Sequence, residues 1–310
     1  MRKRIILSLL ISALLLMSAC GDKNEEKNPE NSFETSLDIS LEEKGENNSS
    51  SEIYSEEKQV KRYDNGAEFY GTMKDGEPWV GIVTFADGSA ASYNAATQKL
   101  SYTDGDIYIG ALKDFVYEGE GTYYEVRGVS FHGFWVAGDL TGGVITYADG
   151  SRYEGGIKNM TREGYGYIEF ASGAVYEGNF HDGAMHGEGF MTWPDGMRYE
   201  GNYVNSQRSG QGRYLDNGRV VYEGEWFEDK QDGKGIYYYE NGSKYVGTFR
   251  NHKMDTRLVN SSHQFMEDGK GGYMHGEPAK VYDASGDIVE GFFEEGKMTL
   301  EYKPPKVENS

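Results

Sequence analysis

The chain is 310 residues long and holds 43 Gly, 25 Tyr, 14 Phe and 4 Trp against only 6 Pro and 1 Cys. Glycine stands at roughly twice its usual ~7% share, without the triplet period or proline content of collagen. With 31 Lys+Arg against 51 Asp+Glu the formal charge is −20. This excludes nucleic acid as a partner, because no basic surplus exists to replace phosphate counterions. The single Cys excludes an intrachain disulfide and a cysteine-based metal cluster. So many aromatic residues beside so few aliphatic ones point away from a helical or α/β core.

Arg2, Lys3 and Arg4 precede a mostly apolar run from Ile5 to Met17, and Ser18-Ala19-Cys20-Gly21 follows it. A charged start, a short apolar stretch and small residues at its end make a secretory signal over residues 1–19. The apolar run would rise only about 20 Å as a helix, short of the ~30 Å hydrocarbon core of a bilayer. Met17-Ser18-Ala19-Cys20 resembles the lipobox of bacterial lipoproteins, with Met17 where that family usually has Leu. The resemblance implies cleavage before Cys20 and a lipid (diacylglyceryl, with palmitate-type chains) on its thiol. The chain would then sit on the extracytoplasmic face of a bacterial cell membrane. Loss of Arg2, Lys3 and Arg4 leaves the remainder still more acidic, so attachment would rest on the lipid and not on the protein surface.

Residues 20–62 read as the lipidated Cys and a disordered acidic linker. Between residues 21 and 60 there are twelve acids and four Lys, with Phe33 and Tyr54 as the aromatic residues. Such a segment buries too little apolar surface to offset its ordering entropy.

From residue 63 to 297 one pattern dominates. Tyr176-Glu177-Gly178-Asn179-Phe180 returns at equal steps as Tyr199-Glu200-Gly201-Asn202-Tyr203, as Tyr222-Glu223-Gly224-Glu225-Trp226, and then as Tyr245-Val246-Gly247-Thr248-Phe249. Turn glycines keep a second ruler through Gly150, Gly173, Gly196, Gly218 and Gly242. Each unit reads as a β-hairpin. Tyr176, Gly178 and Phe180 share one strand face, Asp182-Gly183 is a turn signal, and Gly187, Gly189, Met191 and Trp193 share one face of the returning strand. Pro194-Asp195-Gly196 turns the chain again. Glycine recurring beside aromatic residues implies rings laid across neighbouring strand glycines. A lone hairpin is unstable, so the units must stack. The expected fold is all-β, an elongated solenoid of stacked antiparallel β-hairpins, degenerate at 89–104 and 250–275. Residues 298–310 form a C-terminal tail, whose Lys303-Pro304-Pro305-Lys306 would protect the last sheet edge.

The array resembles the MORN (membrane occupation and recognition nexus) repeat family through its Tyr-Glu-Gly-x-aromatic step, its Gly-x-Gly and its aromatic-x-Asp/Asn-Gly turn. The match is clearest at Tyr153, Tyr176, Tyr199 and Tyr222. The resemblance implies an extended hairpin array that serves as a scaffold and protein-binding surface.

No Gly-x-Ser-x-Gly elbow, His-Glu-x-x-His helix or phosphate loop is found. The six His are assigned accordingly. His186 and His275 share a Met-His-Gly-Glu setting and read as structural, as do His132 and His181, while His252 and His263 fall in the irregular stretch. The expectation is a non-enzyme with no catalytic residue, no cofactor and no metal. Aromatic residues beyond the needs of the repeat are the candidate contacts: Trp135, Tyr165, Tyr167, Tyr237 and Tyr239. A protein partner is expected. The alternative is a cell-wall glycan, since Tyr237-Tyr238-Tyr239-Glu240-Asn241-Gly242 is similar to the aromatic hairpins of wall-binding repeats.

Overall fold

A computed structural model describes residues 54–258 and 264–301. The expected signal, Cys20, His263, the Lys303–Lys306 segment and the linker up to residue 53 lie outside the described residues.

Among the described residues there is no helix, and 22 strands form one sheet. It opens with β1 (Tyr54–Arg62), β2 (Glu68–Lys74), β3 (Glu77–Thr84), β4 (Ala90–Asn94) and β5 (Lys99–Tyr102). Next come β6 (Ile107–Lys113), β7 (Val116–Tyr124), β8 (Ser130–Val136), β9 (Asp139–Thr146), β10 (Arg152–Lys158) and β11 (Thr161–Glu169). The clearest repeats are β12 (Val175–His181), β13 (Ala184–Thr192), β14 (Met197–Val204), β15 (Gln207–Asp216), β16 (Arg219–Phe227), β17 (Lys230–Tyr238) and β18 (Lys244–Arg250). The last are β19 (Lys253–Met254), β20 (Ala279–Tyr282), β21 (Ile288–Glu294) and β22 (Lys297–Glu301). Every pairing is antiparallel and joins chain neighbours, except that β18 pairs with both β19 and β20. The all-β hairpin fold expected from the repeat is the fold observed.

The two margins of the sheet use different turns. At one margin, two-residue turns such as Asp182-Gly183 (φ 46° and 80°) put both residues in the left-handed region, the type I′ geometry that follows strand twist. At the other margin, five-residue turns such as Trp193–Met197 close with Gly196 N–H donating to the Trp193 carbonyl and Trp193 N–H to the Met197 carbonyl. The side chain of Asp195 accepts the Met197 N–H at 3.0 Å and rigidifies that loop.

Between the margins runs an unbroken row of paired glycines. Gly166 faces Gly178, which faces Gly189, then Gly201, Gly212, Gly224, Gly235 and Gly247. The row exists because tyrosine rings occupy the space that side chains would take. A Cβ on Gly189 would lie 2.4 Å from the hydroxyl oxygen of Tyr176, and one on Gly212 would lie 2.3 Å from that of Tyr199. Each ring is anchored at its far end. The hydroxyls of Tyr153, Tyr176, Tyr199, Tyr222 and Tyr245 donate to backbone carbonyls three residues on, at 2.7–3.1 Å. Aromatic side chains two residues beyond the glycine slot between successive tyrosines, edge to face. Tyr176–Phe180, Tyr176–Tyr203, Tyr199–Tyr203, Tyr199–Trp226, Tyr222–Trp226 and Tyr222–Phe249 have centroids 5.0–5.4 Å apart. This ladder is the core, and each such pair adds about 0.5–1.5 kcal/mol beyond the area it buries.

Three details differ from the sequence expectation. First, β1 falls inside the segment read as linker, so among the described residues the sheet already includes Tyr54–Arg62. Its charged side chains need no core, because edge pairing with β2 is made by the backbone. Lys61 also bridges to Glu77 at 2.5 Å, and Lys58 lies over the Tyr70 ring. Second, the sheet runs past residue 297, since β22 continues to Glu301. Third, the irregular stretches take different forms. At 89–104 the hairpin persists as β4–β5, with Tyr93 opposite Gly81 and Leu100 opposite Tyr93 and Tyr108. The other is an insertion, since Tyr245 of β18 pairs directly with Val281 of β20, and beyond β19 residues 255–258 and 264–278 add no strand to the sheet.

Candidate functional site

Most of the five-residue turns, though not those opened by Glu125 and Asp283, place an aromatic residue at their first position, and it folds down onto the core. Tyr147, Phe170 and Trp193 do so in successive repeats, at equal steps along the chain. The next such position is Asp216. There the turn also shrinks to the two residues Asn217-Gly218 (φ 47° and 84°), and a bulge between Tyr214 and Leu215 absorbs the change in register. An aromatic residue returns to this phase one repeat later at Tyr239, which is 36% exposed.

A missing cover leaves a groove. It holds about 600 Å³ and is lined by Met197, Tyr214, Asp216, Arg219, Val221 and the run Tyr237 to Asn241. Its walls are aromatic. The Tyr237 and Tyr239 rings lie 5.0 Å apart at 62°, and Tyr214 packs 6.2 Å from Trp193. Its charged groups are Asp216, Arg219 and Glu240. The Arg219 guanidinium stands 3.7 Å from Asp216 and 3.9 Å from Glu240, and it donates to the Tyr238 carbonyl at 3.3 Å. Burial raises the Tyr214 and Tyr239 phenols above the ordinary tyrosine value. Tyr238 is pushed up to about 12, chiefly by its hydrogen bond to Glu223 and then by burial. The Tyr214, Tyr238 and Tyr239 phenols are therefore neutral near pH 7, offering π faces and hydroxyls. The arrangement can hold an extended chain or a ring against aromatic walls, with two carboxylates and a guanidinium at the rim.

The sequence candidates separate in space. Tyr237 and Tyr239 come together in the groove. Tyr165 and Tyr167 lie on the opposite sheet face, 58% and 37% exposed, with the Tyr165 hydroxyl donating to Glu177 at 2.7 Å. Trp135 is a correction: it is 1% exposed, and its indole N–H donates to the Gly121 carbonyl at 3.0 Å. Trp226 does the same to Gly212 at 3.3 Å, so Trp135 fills a core slot two residues after a row glycine and offers no surface. His252 is the second residue of a type I′ turn (φ 68°) with its Nδ1 3.4 Å from the Gln231 N–H, and burial lowers its pKa. His275 lies outside the strands, its Nδ1 2.8 Å from the Thr256 hydroxyl, and so does not share the strand setting of His186. Tyr214, Asp216 and Arg219 are not among the sequence candidates. Their signal is the shortened step from Gly196 to Gly218, with an acid where an aromatic residue recurs.

Residues 176–198, 199–218 and 222–244 match the MORN repeat family. Three MORN repeats lie in this chain. Each match opens on a core tyrosine, and the groove from Met197 to Asn241 draws on all three, with Arg219 and Val221 in the gap between the second and the third. The second match stops at Gly218, at the shortened turn. No curated protein matches the chain. Among solved structures, the chain is similar to the TCP domain of Drosophila melanogaster SAS-4 in complex with a proline-rich motif of Ana2. That likeness has 15% identity and a TM-score of 0.29, covering 53% of this chain and 86% of the other. The TCP10 domain of Danio rerio CPAP, in complex with a STIL peptide, gives 13% identity and a TM-score of 0.26, covering 80% and 99%. Moraxella catarrhalis BamB gives 12% identity and 0.16, covering 79% and 87%. At these scores the likenesses carry no argument about function.

Proposed function

We propose that this chain is a non-enzymatic scaffold, held by a lipid on Cys20 at the extracytoplasmic face of a bacterial membrane, whose MORN-like array binds another protein. The observation that carries the binding role is the groove beside Asp216, an aromatic concavity open to solvent where neighbouring repeats are covered. Its chemistry fits a basic, extended segment of the partner. Tyrosine faces attract cations, and Asp216 and Glu240 supply opposite charge on a chain of formal charge −20. The anchor reading is supported by the Met17-Ser18-Ala19-Cys20 motif.

A photo-reactive residue in place of Glu240, in living cells, tests the binding role. One specific protein adduct that disappears with Tyr239→Ala is expected, and no specific adduct would remove the groove from the reading. A second reading is a wall glycan, favoured by the Tyr237–Tyr239 ring pair, which offers a stacking platform beside Asp216 and Asn241. Pelleting of the purified chain with cell-wall sacculi, abolished by free glycan, would select that reading instead.

A further inference from the structure

The third residue of several return strands caps the two-residue turn of the next hairpin. In β17 it is Asp232, which accepts the Asn251 N–H at 3.1 Å and pairs with the Arg250 guanidinium at 2.9 Å. In β11 it is Glu163, which accepts the Asp182 N–H at 3.0 Å. The position that Arg250 holds at the end of β18 is held at the end of β12 by His181. A slot filled by a guanidinium in one repeat is therefore lined in another by an imidazole and two carboxylates. His181 Nδ1 lies 3.4 Å from Glu163 Oε1, and its Nε2 lies 3.7 Å from Asp182 Oδ2. One donor atom from each of the three residues falls within 4.8 Å of the others. The His186 ring stands 5.9 Å from that of His181, and its buried Nδ1 has no hydrogen-bond partner.

We propose that Glu163, His181 and Asp182 bind Zn2+ at this turn, the metal taking the place that a guanidinium fills three repeats later. The donor set decides the class of ion. Imidazole with carboxylate suits Zn2+, whereas Ca2+ and Mg2+ prefer oxygen donors alone. The geometry is compatible, since ligands at ~2.0–2.2 Å from one zinc must approach each other to about 3–3.5 Å, and His181 and Asp182 are exposed enough to rotate. The hydrogen bond from the Asp182 N–H already fixes the Glu163 carboxylate at the turn. Such a site would staple the start of β11 to the turn between β12 and β13.

The test is calorimetric titration of the full chain, stripped by chelator, with Zn2+ and separately with Ca2+. One saturable Zn2+ site is expected, together with a rise in Tm on zinc addition. His181→Ala and Glu163→Gln should each weaken it at least about tenfold, a loss that even outer partners of a metal site can cause. Asp232→Asn should leave it unchanged. Gln at 163 keeps an oxygen for the Asp182 N–H, so a metal-free Tm equal to that of the unsubstituted chain separates ligand loss from misfolding. Zinc affinity unaltered in His181→Ala, absence of a saturable site, or Ca2+ binding of equal strength with the same dependence would overturn the proposal.

Discussion

The hydroxyl of Tyr176 donates to the Asn179 carbonyl at 2.9 Å, and that anchor holds the ring across Gly189 of the neighbouring strand. A Cβ at Gly189 would meet the hydroxyl oxygen and two ring carbons of Tyr176 at 2.4–2.6 Å, closer than real contacts allow. Gly189→Ala should therefore destabilise by about 1–3 kcal/mol through overpacking. Tyr176→Phe, which keeps the ring and loses the hydrogen bond, should cost about 0.5–1.5 kcal/mol. Gly218→Ala is the contrast. Nothing lies within 4 Å of its Cβ, so its cost comes from φ +84° alone, about 1–2 kcal/mol. Urea unfolding of the three variants checks this, and a loss well below about 1 kcal/mol in Gly189→Ala would mean that the ring is not the constraint.

Burial of the same ladder makes stability sensitive to alkali. It raises the Tyr108 and Tyr153 phenols to about 12 and holds Tyr176, Tyr199, Tyr222 and Tyr245 well above the ordinary value. Unfolded tyrosine ionises near pH ~10, so above that pH the unfolded chain binds fewer protons than the folded one. The sign follows: these groups leave stability untouched below about pH 10 and reduce it as pH rises from there through about 12. Tm should fall steeply across that window, with phenolate absorbance appearing together with unfolding. Phenolate growth well before any loss of structure would contradict the buried ladder.

Much of this arrangement can be read from the residues themselves. Tyr176, Gly178 and Phe180 at alternate positions, recurring in phase at Tyr199, Tyr222 and Tyr245, specify strand face, glycine row and ring cover together, because each makes sense only with the others. What could not be read depends on partners distant in the chain. The Glu-Glu-Lys-Gln-Val-Lys-Arg stretch of β1 has no apolar alternation, and it becomes a strand because β2 offers an unpaired backbone edge. Trp135 reads as surplus surface in the sequence, yet its place two residues after Gly133 is the place of Trp226 after Gly224, which is core. Asp216 is visible as an acid in an aromatic phase. Its consequence requires knowing that Tyr147, Phe170 and Trp193 act as covers.

The insertion after β19 is held by a buried ion pair. Arg257 Nε lies 2.9 and 3.1 Å from the two oxygens of Asp255, its Nη2 is 3.2 Å from Glu295, and the side chains are 6% and 2% exposed for Arg257 and Asp255. The guanidinium also stacks 3.7 Å from the Phe265 ring centroid. Arg257→Ala would leave the Asp255 carboxylate buried without its partner, a loss of about 3–5 kcal/mol. Arg62→Ala breaks an exposed pair with Glu68 and should cost no more than about 1 kcal/mol. Comparable losses in chemical denaturation would show that Asp255 is solvated when unpaired.

The groove makes the strongest demand on the repeat, because filling it should improve packing and remove binding. Asp216→Tyr restores the aromatic residue that Tyr147, Phe170, Trp193 and Tyr239 supply at the same phase. It also removes one of the two carboxylates flanking Arg219, leaving Glu240 at 3.9 Å. Since Arg219 also donates to the Tyr238 carbonyl and faces solvent, the lost pair should cost less than about 1 kcal/mol, within reach of what a covering ring returns. Thermal stability should thus stay within a few degrees of the starting chain, while a photo-reactive group at position 240 should lose its adduct. Tyr239→Ala should lose the adduct as well, by widening the groove instead of closing it. An adduct that survives Asp216→Tyr at full yield would show that the partner lies beside position 240 without entering the groove.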